Sequence, residues 1–572
     1  MQVKKDALSH PQVCAVYPRC TPVHPCRVLG LGQLTQMNKL QRLIGFSLFG
    51  LPLAVMGCSE AAFPKAGTPE LRAELFDTII TRTERRGAFS PVKNERLGFD
   101  PIQEMERLHD VVVSANTEQE LYYALARLSH ARRDRHLDLY LVAGGLELPD
   151  SAGLDVLDGE SKEPAQAPVR IFPDYSDEDA GYFVGDRAID PRWPELPAIG
   201  DQIMTVNGMS VDAWHDSATA FMRYSTSIAL RWKLAEAMAL STAAFPGYLR
   251  AEELTLVTRS SSGTESTYSL PFTDPSDLSW TGSGDPNYPG LVLELGTPTY
   301  DLLVPEDGRR FVVLVWRGFR ETMVPDVDAL VAFAESRGLL DHALVMDVTR
   351  SRGGSLGAYA MQRLQPLPFK TTFGNLKISD VTEPFIEDKR LDFAARNIND
   401  GGVSETIDDG NWLMSWLEND VLSALSRGEP YSSNVPFKLA HAPKESDGIL
   451  EPAAKHFRGP IGIISGPSGG SHLDQFVSII VDNGLGPVVG MPPGGHSNTW
   501  EWEEVLSFPG TDQPVVAFMW NIGHTIRPNG EIAEGNPAAV DEWIPLTSVN
   551  VQTYYSQMLE RVLALLEPLH TR

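Results

Sequence analysis

Residues 459–476 read GPIGIISGPSGGSHLDQF. An apolar run (Ile461, Ile463, Ile464) stops at a Gly/Pro/Ser cluster, presents Ser471, and continues with apolar residues at helical spacing. Strand, tight turn and helix in that order form the unit of an α/β layer. The junction also sets Ser471 at a helix N-terminus, where unpaired backbone N–H groups and the positive end of the helix dipole favour a developing oxyanion. Serine is equally a good N-cap residue. Taken alone, the stretch leaves nucleophile and cap both open.

The same rhythm extends outward. Strand-like runs occur at 310–319, 342–348, 486–491 and 514–520, with helical segments at 324–338, 355–364 and 472–483. This predicts an α/β domain over 276–572 with a mainly parallel sheet. Region 370–457 breaks the rhythm, with a helix around 411–426 and much irregular sequence, and reads as a cap-like excursion. A second glycine-rich strand end, ALVMDVTRSRGGSL (343–356), places Gly353 and Gly354 in a turn. In a parallel sheet the C-terminal strand ends share one edge, so these amides are expected to face Ser471. Neither GxGxxG nor Walker spacing is present.

Upstream, 146–275 is strand-rich, with one helical stretch near 217–240. GDQIMTVNGMSV (200–211) is a strand followed by an Asn-Gly hairpin turn, and ELTLVTRSSSGTESTYSLPF (253–272) is a second hairpin. The Pro/Ser/Gly-rich stretch 272–290 reads as a linker. Residues 69–145 carry helix-period segments. One opens at Thr68-Pro69; another carries a capping box, Thr117 with Glu120. The latter runs into RDRHLDLYLVAGG (133–145), so His136 stands where a helix hands over to a strand.

The first 68 residues read differently. In MNKLQRLIGFSLFGLPLAVMGC (37–58), Lys39 and Arg42 precede an apolar run from Leu43 to Met56, the proportions of a secretory signal. Its end, VMGC, resembles the lipobox of bacterial lipoproteins. That resemblance implies a native start at Met37 with 1–36 upstream of it, a signal peptide over 37–57, acylation at Cys58 and a tether over 58–68. The expected location is the bacterial cell envelope, facing the periplasm, with the outer membrane favoured because Ser59 follows the cysteine. Cys14, Cys20 and Cys26 then lie outside the mature chain, which leaves it without a disulfide or a cysteine metal site. The chain carries 75 acidic against 48 basic residues, a formal charge of −27, with no Lys/Arg run. This excludes nucleic-acid binding through the phosphate backbone.

Six motifs in order resemble the C-terminal processing peptidases, or tail-specific proteases. LARLSHARRDRHLDL resembles the helix ending in Asp-x-His. GDQIMTVNGMSV resembles the PDZ-type Gly-Asp-x-Ile…Val-Asn-Gly. ALVMDVTRSRGG resembles the family's strand and Gly-Gly turn, and GPIGIISGPSGGSHLDQF the strand and turn carrying the nucleophile. GPVVGMPPGGHS and RPNGEIAEGNPAAVDEW resemble the closing motifs. The resemblance implies a ClpP/crotonase-like α/β catalytic domain, a PDZ-like module over 146–275 and a helical N-terminal segment over 69–145. It implies Ser471 as nucleophile, with the amide of His472 and a glycine of the 353–354 pair as oxyanion hole. Bacterial members use a Lys 25 residues after the serine. That position is His496 here, and no Lys lies between Ser471 and the C-terminus. The tricorn-like branch instead implies His136 as base and Glu534 as its acid. His496 stands as alternative base and Glu531 as alternative acid. The family's Arg and Asn in the strand–turn motif are Thr349 and Ser351, and its Thr before the Gly-Lys is Pro493. The expectation is a peptide- or protein-cleaving serine endopeptidase without metal or organic cofactor, tethered to a membrane by its lipid. The alternative is a non-catalytic peptide- or apolar-ligand-binding protein on the same fold.

Overall fold

The structure, a computed structural model, describes residues 65–89, 91–177, 181–320, 322–400, 410–436, 447–498 and 500–570. The signal-like segment and Cys58 lie outside the described residues. No described helix is long and apolar enough to cross a membrane.

The chain is an α/β multidomain fold built around a seven-stranded sheet. Its strands run in the order Leu291–Gly296, Tyr300–Pro305, Phe311–Trp316, Ala343–Asp347, Ile461–Ser465, Val488–Gly490 and Glu542–Trp543. The first two pairings are antiparallel and the remaining four parallel. The central strands are continuous Val/Ile/Leu/Met runs because both faces are covered. Val312, Leu344 and Ile463 pack against the helices Met323–Arg337, Gly357–Leu364 and His472–Asp482. Their neighbours Val313, Val345 and Ile464 turn to the other face, against Tyr554, Met558 and Val562 of the helix Tyr554–His570 and against Phe172 and Trp232. Two dry faces fix the register of the sheet's central strands.

Residues 169–271 form the second large sheet, in which Gln202–Val206 and Met209–Ser210 close on Asn207 and Gly208. Both turn residues have positive φ, 50° and 81°, the twist a two-residue hairpin needs. The hairpin Glu253–Arg259/Glu265–Pro271 forms as its Ser-Gly turn predicts. Near 217–240 there are two helices rather than one, Val211–Thr219 and Ser227–Met238, each N-capped by a hydroxyl (Ser210, Thr226). The helix Glu118–His130 carries the predicted capping box between Thr117 and Glu120.

Three expectations change. The strand Pro514–Asn521 does not join the parallel sheet; it pairs antiparallel with Glu501–Ser507 and with Leu139–Tyr140, making a separate three-stranded sheet. A short connection between 507 and 514 permits only a hairpin there, since a parallel partner needs a long crossover. The stretch 272–290 is packed rather than loose: Trp280 bridges Ala188 and lies under the Arg170 guanidinium, and Tyr288 donates to Asp347 Oδ2 at 2.7 Å. The excursion 370–457 contains a helix, Thr382–Asp400, in the stretch expected to be irregular, and it is anchored by Phe385 and Trp416 against Trp500.

Candidate active site

Ser471 sits where the strand Ile461–Ser465 turns into the helix His472–Asp482, with φ 64° and ψ −122°. A non-glycine residue held in that region is strained, and its side chain makes no capping bond. The hydroxyl is therefore not spent on the helix. Its backbone is clamped instead: Ser471 N–H donates to His496 O at 2.5 Å, and Ser471 O accepts from Asp474 N–H at 3.0 Å. The glycines allow the crowding. A Cβ on Gly353 would lie 2.7 Å from Ser471 Cβ and 3.1 Å from its Oγ; one on Gly470 would lie 1.9 Å from His496 Cε1. Of the pair expected near the serine, Gly353 is the one against it. Gly354 packs on the backbone of Phe319.

The helix beginning at His472 secures the loops on both sides. The buried His472 imidazole accepts the Gly357 N–H at Nε2, 2.7 Å away, and sets its edge on Phe319. This ties the 353–357 turn to the serine's helix. Asp474, also buried, accepts from Gly495 N–H (2.9 Å) and His496 N–H (3.1 Å), which fixes the 494–496 loop. Burial holds the Asp474 carboxyl well above the usual carboxylate range, despite these donors.

His136 arrives from the other end of the chain. The helix Glu118–His130 ends, a turn follows, and Leu139–Tyr140 pairs with Phe518 and Ala517. Arg132 Nη1 donates to Met519 O at 2.7 Å and pins that turn to the strand. The His136 ring then meets the His496 ring edge-on, 5.0 Å between centroids at 61°. Near it stand two buried carboxylates: one ligand atom each from Asp134, His136 and Glu534 lie within 4.8 Å of one another. Asp134 Oδ1 accepts the His136 N–H at 3.0 Å, and both its oxygens accept from Asn498 Nδ2. Glu534 accepts from Ser497 N–H at 2.8 Å and from Lys93 Nζ at 3.2 Å.

The electrostatics follow from this burial. Burial would raise the Asp134 carboxyl, but Lys93, His136 and the Asn498 amide hold it below its usual range. Burial, with Asp134 beside it, pushes Glu534 up to about 7 against the pull of Lys93. His496 is driven well below the usual histidine range by burial and then by its neighbours His136, Arg135, Lys233 and Arg223; its Nδ1 is buried without a hydrogen-bond partner among the described residues. Asp134, His136 and Glu534 have the spacing of metal ligands. The Lys93 ammonium already supplies a positive charge at that point, so the cluster does not fit a metal ion. Glu531 stands outside the cluster, mostly exposed and accepting from Asn536. His524 stacks on Tyr431 and hydrogen-bonds Phe89 O.

No family model and no curated relative matches this chain. Among solved structures, mature CPAF matches 88% of this chain and 98% of its own, with a TM-score of 0.64 at 15% identity. This chain has a fold similar to that of CPAF. The structure of mature CPAF complexed with lactacystin matches at a TM-score of 0.65 and 14% identity, over 88% of this chain and 99% of CPAF. The photosystem II D1 C-terminal processing protease matches 86% of this chain and 99% of its own, at a TM-score of 0.39 and 10% identity.

Within this CPAF-like fold, Ser471, Gly353, His472, His496, His136 and Glu534 form one continuous set of contacts. Three members of the neighbourhood have roles that the sequence alone does not show. Lys93 lies on the short helix Pro91–Leu97, more than 400 residues from Glu534. Asp134 reads as half of an Asp-x-His motif and not as a partner of Glu534. Asp474 matches the acid three residues after the nucleophile in the family's motif, which does not show it as the clamp on the 495–496 amides.

Proposed function

We propose that this protein is a serine peptidase that hydrolyses peptide bonds through Ser471, His136 and Glu534. Ser471 Oγ attacks the scissile carbonyl while its proton passes to the His136 imidazole. Glu534 orients that imidazole and stabilises it as it becomes charged. The oxyanion lies among the amides of Gly353 and His472, at the positive end of the helix His472–Asp482. Collapse of the tetrahedral adduct breaks the C–N bond, and His136 returns the proton to the leaving amine. Water, deprotonated by the same imidazole, then hydrolyses the acyl-serine. The single observation that carries this reading is the strained Ser471, uncapped, pressed against Gly353 and bonded to the backbone of His496, whose ring meets that of His136, the histidine grouped with two buried carboxylates.

His136 is favoured over His496 because a general base near neutrality needs a partner for its imidazolium. His496 is surrounded by cations, and Asp474 grips only its backbone N–H. In this reading the PDZ-like module over 146–275 captures an extended peptide by strand addition. A lipid on Cys58 tethers the enzyme to a membrane of the bacterial envelope, facing the periplasm. Hydrolysis of an unstructured protein by the wild type, absent from Ser471→Ala, tests the activity. Incorporation of a labelled fatty acid, absent from Cys58→Ala, tests the tether. A well-folded wild type that cleaves nothing would favour the binding-protein alternative.

A further inference from the structure

Two carboxylates, Asp134 and Glu534, are buried within reach of each other, 4% and 2% exposed. A second buried negative charge is costly unless a cation or several donors offset it. Asp134 has several donors: the His136 N–H and two contacts from Asn498 Nδ2. Glu534 has the Ser497 N–H, a hydrogen bond with Ser225, and Lys93. Lys93 is itself 2% exposed at its side chain. Its Nζ stands 3.2 Å from Glu534 Oε1 and 3.9 Å from Asp134 Oδ2, and it donates to Arg133 O at 2.9 Å. Its stem lies over Gly535, where a Cβ would come within 2.5 Å of Lys93 Cβ. So the lysine is held by the residue after Glu534 and by the residue before Asp134. The short helix Pro91–Leu97 thereby delivers one ammonium to the point where the two acids converge.

We propose that Lys93 is a positioning residue of the active site, whose ammonium lets Asp134 and Glu534 share the space beside His136 and holds Glu534 there as a carboxylate. This rests on the assignment of Ser471, His136 and Glu534 given above. The charged groups facing Glu534 are Asp134, Lys93, His136 and, from the serine's helix, Asp474. Of these only Lys93 is a basic side chain of the lysine or arginine type. Without it, burial and Asp134 keep Glu534 protonated to higher pH, and a neutral carboxyl no longer stabilises an imidazolium.

The test is the rate of labelling by a fluorophosphonate, measured against pH in the wild type, Lys93→Met and Lys93→Arg. Methionine keeps the stem over Gly535 and removes the charge. The expected result is an acid limb in Lys93→Met displaced upward by about one pH unit or more, with about a tenfold slower rate on that limb. Lys93→Arg returns it towards the wild type. A rate that falls equally at all pH values, with the limb in place, overturns the proposal, because loss of packing alone would do that. A double variant, Lys93→Met with Asp134→Asn, removes one negative charge along with the positive one. It is expected to bring the limb back down, and its failure to do so also overturns the proposal. The second readout needs no turnover. The infrared band of a protonated buried carboxyl, assigned by its loss in Glu534→Gln, is expected to persist to higher pH in Lys93→Met than in the wild type. A band that moves in a protein that no probe labels upholds the charge role of Lys93 and rejects the peptidase reading. A band that does not move rejects the charge role whatever the labelling shows.

Discussion

The ring of His136 lies edge-on to that of His496, 5.0 Å between centroids, and the two differ in what stands near them. Beside His136 are Asp134 and Glu534; around His496 are Arg135, Lys233 and Arg223. A base that must carry a proton in the transition state belongs on the acidic side. His136→Ala is expected to lower the rate of acylation by at least about 10²–10⁴-fold. His496→Ala is expected to cost far less, because Ser471 N–H bonds the main-chain oxygen of residue 496. Stopped-flow labelling of both variants separates the two, and a larger loss in His496→Ala would reverse the assignment.

Glu534 gives activity and stability opposite pH dependences. Its carboxyl is raised by burial and by Asp134 to about 7, from an ordinary 4.5. The folded state therefore holds a proton that the unfolded state releases at lower pH. This contribution to stability is fully present below about 4.5 and is lost as pH rises through about 7. Asp474, raised by burial, acts in the same direction. Activity needs the carboxylate and so rises over the same window. Glu534→Gln is expected to be inactive, and to gain stability relative to the wild type as pH rises from about 5 to 8. Denaturant melts at several pH values check the sign.

The backbone at Ser471 stores strain that a glycine would not feel. At φ 64° and ψ −122°, Ser471→Gly is expected to stabilise the fold by about 1–3 kcal/mol less the entropy glycine loses on folding. Ser471→Ala keeps the strain and is expected to leave stability near the wild type. Both lose labelling. Thermal or urea midpoints of the two variants, compared side by side, check this.

In the proposed mechanism His472 serves two ends, a backbone amide for the oxyanion and a ring that receives Gly357 N–H. His472→Phe keeps the amide and leaves a buried N–H without its acceptor. The expected cost is about 1–3 kcal/mol of stability. Labelling is expected to fall as well, because the turn holding Gly353 is freed. Equilibrium unfolding together with labelling rate measures both effects.

Much of the fold was legible because its strands are buried on both faces and its turns use residues with one conformational reason to be there. Ile461–Ser465, Ala343–Asp347 and the Asn207-Gly208 hairpin are of that kind. Ser471 and the Gly353 turn were legible for the same cause, since C-terminal strand ends of a parallel sheet share an edge. What the sequence did not reveal depends on long-range closure. Pro514–Asn521 has the same composition as a parallel strand, and only its pairing with Glu501–Ser507 and Leu139–Tyr140 says otherwise. Lys93 and Asp134 are ordinary helix and turn residues until the fold buries them beside Glu534.

Covalent capture of the nucleophile decides most directly whether Ser471 and His136 work together. Wild-type protein is treated with a fluorophosphonate at about pH 8, where both Glu534 and His136 are in their working forms, and the adduct is located by peptide mass spectrometry. The expected result is a single phosphonyl group on each chain, carried by Ser471, none in Ser471→Ala, and far slower uptake in His136→Ala. A folded wild type that takes up no probe between about pH 5 and 8, or takes it up on another serine, would overturn the assignment of Ser471 as the nucleophile.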